Sequence, residues 1–456
     1  MKLIKDILKI IVSNFIMLGS NIVIGFILPA TLTVDDYGLY KQYLLYSSYI
    51  AIFNLGFIDG IYIKYGGISV SSIDSVELKK EHKALVLFQL LVSVIMLLIS
   101  IFFKSMNLFF ISLTIIPINI SSFHKLFYQA TGQFDKYSKN NIFFAILNIT
   151  FIVILVFLVK TKNYESYILA YILVNLLILC FLEFDFKKMK TQILHSEKKS
   201  ENLLYPRIKV GIFILLANIS VQLFNTVGLW MTNFFLSIDK FAQYSFANSM
   251  LSMILLLVSA AGLTFYNYIA KKEDKEILFV IKDLLLILGL ASGLAFFVLK
   301  FIILTFLGEY INSLDVISIS FVSIPYIMVI NVLVINLYKA RKKEKKYLEI
   351  VAKMLFVNII INAILFMIYR NTISVALGTT ISFIIWYFYS IKVDFNYLKS
   401  DFKQVLLLIS HFIIFIYCSH YLSWLIGMCV YLVFIIGVLL FSREKLNMIL
   451  KKVRQI

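Results

Sequence analysis

Two stripes of amide side chains carry the most chemical information in this chain. Asn14 and Asn21 lie two helical turns apart and therefore share one helix face. Asn218, Gln222 and Asn225 form a similar stripe later in the sequence. Both stripes sit inside long apolar runs, where a polar side chain is costly unless it faces protein or a watery cavity. Two readings stand: hydrogen bonding between helices, worth about 0.6–2 kcal/mol per contact, or the lining of a cavity that takes a polar ligand. Lys41 and Lys64 form a second set, near the two ends of one apolar run. They either snorkel to the interface or contact an anionic head group. Lys125, Lys209 and Lys353 carry the same ambiguity.

Catalytic chemistry is not apparent. The chain has no His-Glu-x-x-His, no Gly-rich phosphate loop and no Gly-x-Ser-x-Gly elbow. His82, His124, His195, His411 and His420 are scattered. Cys180, Cys418 and Cys429 all lie in apolar runs and read as small buried hydrophobes. No disulfide or metal framework follows from them. The expectation is a protein that is not an enzyme and holds no cofactor. If it transports, it must draw on an ion gradient, the membrane potential or the substrate's own gradient.

The elements that position these residues are membrane spans. Of 456 residues, 61% are hydrophobic and 15% charged, against about 45–50% and about 25% in a soluble domain. The mean hydropathy is +0.92. This excludes a soluble enzyme, a secreted disulfide scaffold and a disordered chain. The apolar runs are continuous and not alternating, which argues against an outer-membrane barrel. A span needs about 20 apolar residues. Hydropathy places spans at 9–30, 40–61, 84–103, 107–128, 140–160, 165–183, 208–231, 241–264, 279–306, 316–338, 350–369, 372–392, 403–419 and 422–441. Pro117 and Pro325 fall in the fourth and tenth spans and are expected to kink them, for gating or for shape. The first apolar run is longer than the core of a signal peptide, so it reads as an uncleaved span.

Charge tests this count independently. The formal net charge is +18, which in a soluble chain would raise nucleic acid as a partner. With the N-terminus in the cytoplasm, 36 of the 43 Lys and Arg fall on the inside and 7 on the outside. That is a positive-inside pattern, and it places both termini in the cytoplasm. Only the stretch 184–207 is long enough to be a linker between two halves.

An internal repeat supports two halves. A shift of 204 pairs Asn14 with Asn218, Asn21 with Asn225, Tyr40 with Tyr244 and Tyr62 with Tyr266. A shift of 210 then pairs Tyr128 with Tyr338, Ala130 with Ala340, Tyr137 with Tyr347 and Asn148 with Asn358. The expected organisation is an all-α polytopic membrane protein of about fourteen helices. A six-helix half over 1–183 precedes the cytoplasmic linker 184–207. A second parallel six-helix half covers 208–393, and two further helices with a basic cytoplasmic tail cover 394–456. Parallel repeats of this kind are a transporter design, with the substrate path between the halves.

The segment DDYGLYKQYLLYSSYIAIFNLGFIDGIYIKYG, with Asp36, Tyr37, Gly38, Leu39, Tyr40, Leu55, Gly56 and Lys64 at the pattern positions, resembles the first-half signature of bacterial polysaccharide flippases. These are the Wzx-type members of the multidrug/oligosaccharidyl-lipid/polysaccharide (MOP) exporter superfamily. FYQATGQFDKYSKNNIFFAILN is similar to that family's junction between its fourth and fifth spans. DKFAQYSFANSM resembles the second-half turn, with Phe241-Ala242 where Tyr-Gly is usual. The resemblance implies two six-helix bundles in a V around a central cavity. It implies a flippase of the bacterial inner membrane for undecaprenyl-pyrophosphate-linked oligosaccharide, serving O-antigen, lipopolysaccharide or capsule synthesis. It also implies contact with membrane lipids, leaves open partnership with the polymerase and chain-length machinery, and implies no nucleic acid. Asn14, Asn21, Asn218, Gln222 and Asn225 would then bond the sugar, and Lys41 and Lys64 the pyrophosphate. Three rivals remain. A drug/cation antiporter of the same superfamily would want a mid-span carboxylate. A glycan polymerase would want a large outside loop. A lipid II flippase is a near relative.

Overall fold

The computed structural model describes residues 2–190, 204–271, 275–341 and 344–441, and among them the chain is helical without strands. His195, most of the expected linker and the basic tail lie outside the described residues. The chain divides into two compact units, Met1–Gln222 and Leu223–Ile456.

Unit 1 holds α1 (Lys2–Thr31), α2 (Val34–Ser47), α3 (Phe57–Tyr65), α4 (Ser75–Phe102), α5 (Met106–Ala130), α6 (Phe134–Val153), α7 (Tyr164–Lys190) and the first part of α8 (Leu204–Phe235). Unit 2 continues α8 and adds α9 (Ile238–Lys271), α10 (Lys275–Ser292), α11 (Leu294–Phe306), α12 (Ser313–Val322), α13 (Ile324–Met328), α14 (Ile335–Ala340), α15 (Glu344–Ile368), α16 (Thr372–Tyr389), α17 (Phe402–Tyr421) and α18 (Trp424–Phe441). Several helices begin where the sequence offers caps. The Asp74 carboxylate accepts from the Val76 amide at 2.8 Å, and the side chains of Asn371 and Asp401 act likewise on α16 and α17.

Eleven helices are long and apolar enough to cross a membrane, and two bent pairs raise the number to thirteen. The 34-residue α9 covers the remaining stretch expected at 241–264. The chain is a multi-pass membrane protein.

Two spans expected to be continuous are broken. The one expected at 40–61 bends by 62° between Val34–Asn54 and Phe57–Tyr65. There Leu55 (φ 53°) and Gly56 (φ 81°) take left-handed backbone, which ends a helix. The one expected at 316–338 bends by 50° just before Pro325, whose ring cannot continue the preceding hydrogen-bond ladder. Pro117, expected to act similarly, lies inside an unbroken α5.

In unit 1 the apolar core gathers Phe57, Ile61, Leu85, Phe123, Phe127 and Phe186 around α5. The first turns of α8 belong to this unit. Gly56 at the break and Gly60 of α3 meet α8 backbone to backbone: a Cβ at Gly211 would overlap the Gly56 carbonyl, and one at Gly60 would overlap the Arg207 carbonyl. This is small-xxx-small packing, which lets membrane helices approach closely. The helix expected to open the second half at 208 is thus shared, with the division falling inside it at 222/223.

Candidate functional site

The stripe residues are placed differently from one another. Asn14 and Asn21 are exposed on α1, whose buried face instead presents Ser13, Ser20, Ile24 and Leu28. Ser20 donates to the Ala145 carbonyl of α6 at 3.1 Å, and Lys9 pairs with Asp135. Asn218 is likewise exposed on α8. Gln222 bonds within unit 1, donating to the Ser48 carbonyl at 2.8 Å and meeting its hydroxyl at 2.9 Å. Asn225, one turn on, lines a cavity in unit 2.

That cavity has a volume of about 300 Å³, room for about ten waters. Five elements contribute polar groups: Asn225 and Thr226 from α8, Tyr244, Asn248 and Ser252 from α9, Ser320 from α12, Asn331 from the π-helical turn Val329–Val334, and Thr379 and Thr380 from α16. Ser323, at the break before Pro325, completes the wall with Leu251, Leu255, Ile327 and Phe383. None of these lining side chains is ionisable near neutral pH. Ser320, Ser323, Ile327 and Asn331 follow the i, i+3, i+7, i+11 spacing of one helix face, which this span keeps across its break. A π turn like the one at Val329–Val334 is often found at functional sites. Gly289 of α10 makes room for the bend, because a Cβ there would overlap the Pro325 ring.

The broken span of unit 1 is held by amides. Asn119 of α5 donates to the Ile50 carbonyl at 3.3 Å and to the Gln89 side chain at 2.7 Å. Gln89 of α4 in turn donates to the Phe53 carbonyl at 3.1 Å. Carbonyls freed by the break are thereby satisfied inside hydrocarbon, as they must be.

The lysines also separate. The Lys41 ammonium lies 5.3 Å from the Tyr37 ring centre and is partly exposed. Lys64 is engaged by carboxylates, at 2.6 Å from Glu77 and 2.8 Å from Glu81. Arg207 reaches the same two acids at 3.1 and 2.9 Å, and the Tyr65 hydroxyl donates to Glu81 at 2.7 Å. This cluster ties the start of α8 to α3 and α4.

Several solved structures share this arrangement of helices. The lipid II flippase MurJ in an inward closed conformation matches with a TM-score of 0.62 and 16% identity, over 97% of this chain and 99% of that one. A MOP superfamily transporter from Pyrococcus furiosus matches with a TM-score of 0.50 and 14% identity, over 87% and 97% of the two chains. A multidrug resistance MATE family transporter in an inward-facing conformation matches with a TM-score of 0.55 and 12% identity, over 84% and 96%. The chain shares the fold of these transporters. No protein-family model and no curated protein matches its sequence.

The internal repeat is visible in side chains. The Tyr128 hydroxyl donates to Asp185 at 2.6 Å, and Lys136 pairs with the same carboxylate at 2.9 Å. In unit 2 the Tyr338 hydroxyl donates to Asp394 at 2.6 Å, and Lys346 pairs with it at 2.6 Å. Tyr128 with Tyr338 is legible as a repeat pair in the sequence. Lys136 and Lys346 keep the same shift of 210, whereas the aspartates fall one residue off that register. A second cluster has no sequence signal at all: His82, His124 and Glu183 meet from α4, α5 and α7. Nothing in the spacing of these residues along the chain points to it.

Proposed function

We propose that the chain is a flippase for undecaprenyl-pyrophosphate-linked oligosaccharide repeat units. It carries them from the cytoplasmic to the outer leaflet of the bacterial plasma (inner) membrane, by alternating access, for O-antigen or capsule synthesis. Both termini are then cytoplasmic. The observation that carries this reading is the cavity of unit 2, walled by hydroxyls and amides without a carboxylate. Neutral glycan hydroxyls pair with such groups, and a buried polar site discriminates strongly against cargo that leaves it unpaired. A drug/cation antiporter would instead need a negative group there to hold its ion. The likeness to a flippase whose named cargo is lipid-linked supports a lipid-linked cargo here.

Asn14, Asn21 and Asn218 are assigned to the glycan as exposed amides of unit 1, and Asn225 as a cavity amide of unit 2, because exposed amides on membrane helices are least costly against water. Gln222 holds Ser48 within unit 1 and is assigned to the same set. Lys41 and Lys64 are the proposed pyrophosphate contacts, Lys64 being shared with Glu77 and Glu81. The inside-negative potential favours outward movement of the anion by about 2.3 kcal/mol per charge per 100 mV.

The test is the pair Asn225→Leu and Asn248→Leu, made together in the producing strain. Surface glycan is expected to fall at unchanged protein level, with single lipid-linked units accumulating. Unchanged glycan would overturn the cavity assignment. Accumulation of the peptidoglycan precursor would move the cargo to lipid II, and altered drug sensitivity alone would favour an antiporter.

A further inference from the structure

Unit 1 carries one constellation that the transport reading leaves unused. His82 of α4 and His124 of α5 both aim Nε2 at the same oxygen of Glu183 on α7, at 2.7 and 2.9 Å. The three candidate ligand atoms all lie within 4.8 Å of one another. His124 is fully buried, His82 is 12% exposed and Glu183 27% exposed, so the cluster is closed at its base and open on the carboxylate side.

Three features go beyond a hydrogen-bonded pair. First, the donor set is two imidazoles and one carboxylate, the combination that leaves a tetrahedral zinc one open position. Second, the distances suit an ion. Bonds of about 2.0–2.2 Å put the ligand atoms of a tetrahedral zinc roughly 3.4 Å apart. The nitrogen–oxygen gaps of 2.7 and 2.9 Å must widen slightly to admit it. Third, the rings are fixed by an apolar sheath. Phe186 lies 4.7 Å from the His124 ring and 5.2 Å from the His82 ring, and Phe123 lies 5.4 Å from each. Such a shell limits water and holds ligand orientation.

The repeat gives an independent argument. The Tyr–Asp–Lys contacts occur in both units and so belong to the shared scaffold. When Tyr128 is set on Tyr338, His124 falls on Val334; when Asp185 is set on Asp394, Glu183 falls on Lys392. The imidazole–carboxylate cluster is therefore an addition to one half, and the scaffold folds without it in the other.

We propose that His82, His124 and Glu183 form a binding site for a divalent transition-metal ion, with zinc as the best-fitting occupant. Bound metal would clamp α4, α5 and α7 together at one end of unit 1, with water or a further ligand in the open position.

The test uses the full-length protein without a histidine tag, purified in detergent and stripped of metal. Zinc alone is titrated against a competing chelator. The wild type is expected to bind one zinc per chain, with at least a tenfold loss of affinity in Glu183→Gln and in His82→Asn. His420→Asn, which lies near Asp315 in unit 2, is expected to bind as the wild type does. Cobalt(II) on the wild type gives a second readout that needs no variant: strong visible d–d bands mark a tetrahedral centre with nitrogen ligands. Absence of zinc uptake by the wild type, equal affinity in wild type and Glu183→Gln, or a weak octahedral cobalt spectrum would each overturn the proposal.

Discussion

Glu81→Gln is predicted to destabilise unit 1 by about 3–5 kcal/mol, whereas Glu77→Gln costs about 1 kcal/mol or less. The two acids share the cations Lys64 and Arg207, so their different burial decides the outcome. Glu81 is fully buried and receives Lys64, Arg207 and the Tyr65 hydroxyl. Its neutral amide replacement leaves two largely buried cations to share Glu77 and presents an N–H group to donors. Glu77 is 25% exposed, so water takes over part of its role when its charge is lost. A difference of about 3 kcal/mol between the variants is more than a hundredfold in the folded-to-unfolded ratio. The assay is equilibrium unfolding in mixed micelles, followed by far-ultraviolet circular dichroism. Tryptophan fluorescence is a poor probe of this event, because Trp230, Trp386 and Trp424 all lie in unit 2. Equal losses in the two variants would refute the argument from burial, and no loss at Glu81 would refute the role of the cluster.

Other consequences follow from the same geometry. Asp394→Asn should cost more than Asp185→Asn, because the two carboxylates are 2% and 29% exposed while both lysine partners reach solvent; paired unfolding measurements check this, and the reverse order would contradict it. Gly211→Val should separate α8 from α3 and reduce folded yield, since the new side chain meets the Gly56 backbone, whereas Gly19→Ala, which meets nothing within 4 Å, should be tolerated. Asn119→Leu should loosen the break of the second span, leaving the Ile50 carbonyl without its donor at a cost of about 1–3 kcal/mol; unchanged stability would show that another group takes its place.

The spans are legible in the sequence because a 20-residue apolar run has few alternatives to a membrane helix. All fourteen expected stretches fall on helices. The breaks are harder to read. Pro117 and Pro325 look alike in sequence, yet only Pro325 sits at a break, where Gly289 gives the bent chain space. Gly56-x-x-x-Gly60 stands in the sequence as a close-packing signal, but its partner Gly211 lies too far along the chain for spacing to reveal it. The amide stripes are half informative. Helical periodicity groups residues on a face, but it does not say what the face meets, so Gln222 is a helix contact while Asn225 lines a cavity. The cavity draws its other polar groups from several further elements: Tyr244 and Asn248 fall in the DKFAQYSFANSM segment, whereas Ser320, Asn331, Thr379 and Thr380 carry no motif. The histidine cluster escapes for the same reason.

The central claim is tested most directly by locating the lipid-linked glycan in a strain lacking this protein, with the initiating glycosyltransferase attenuated to limit toxicity. The account predicts complete single repeat units confined to the cytoplasmic leaflet and no surface polymer. Single units reaching the outer leaflet would contradict it and place the lost step at polymerisation.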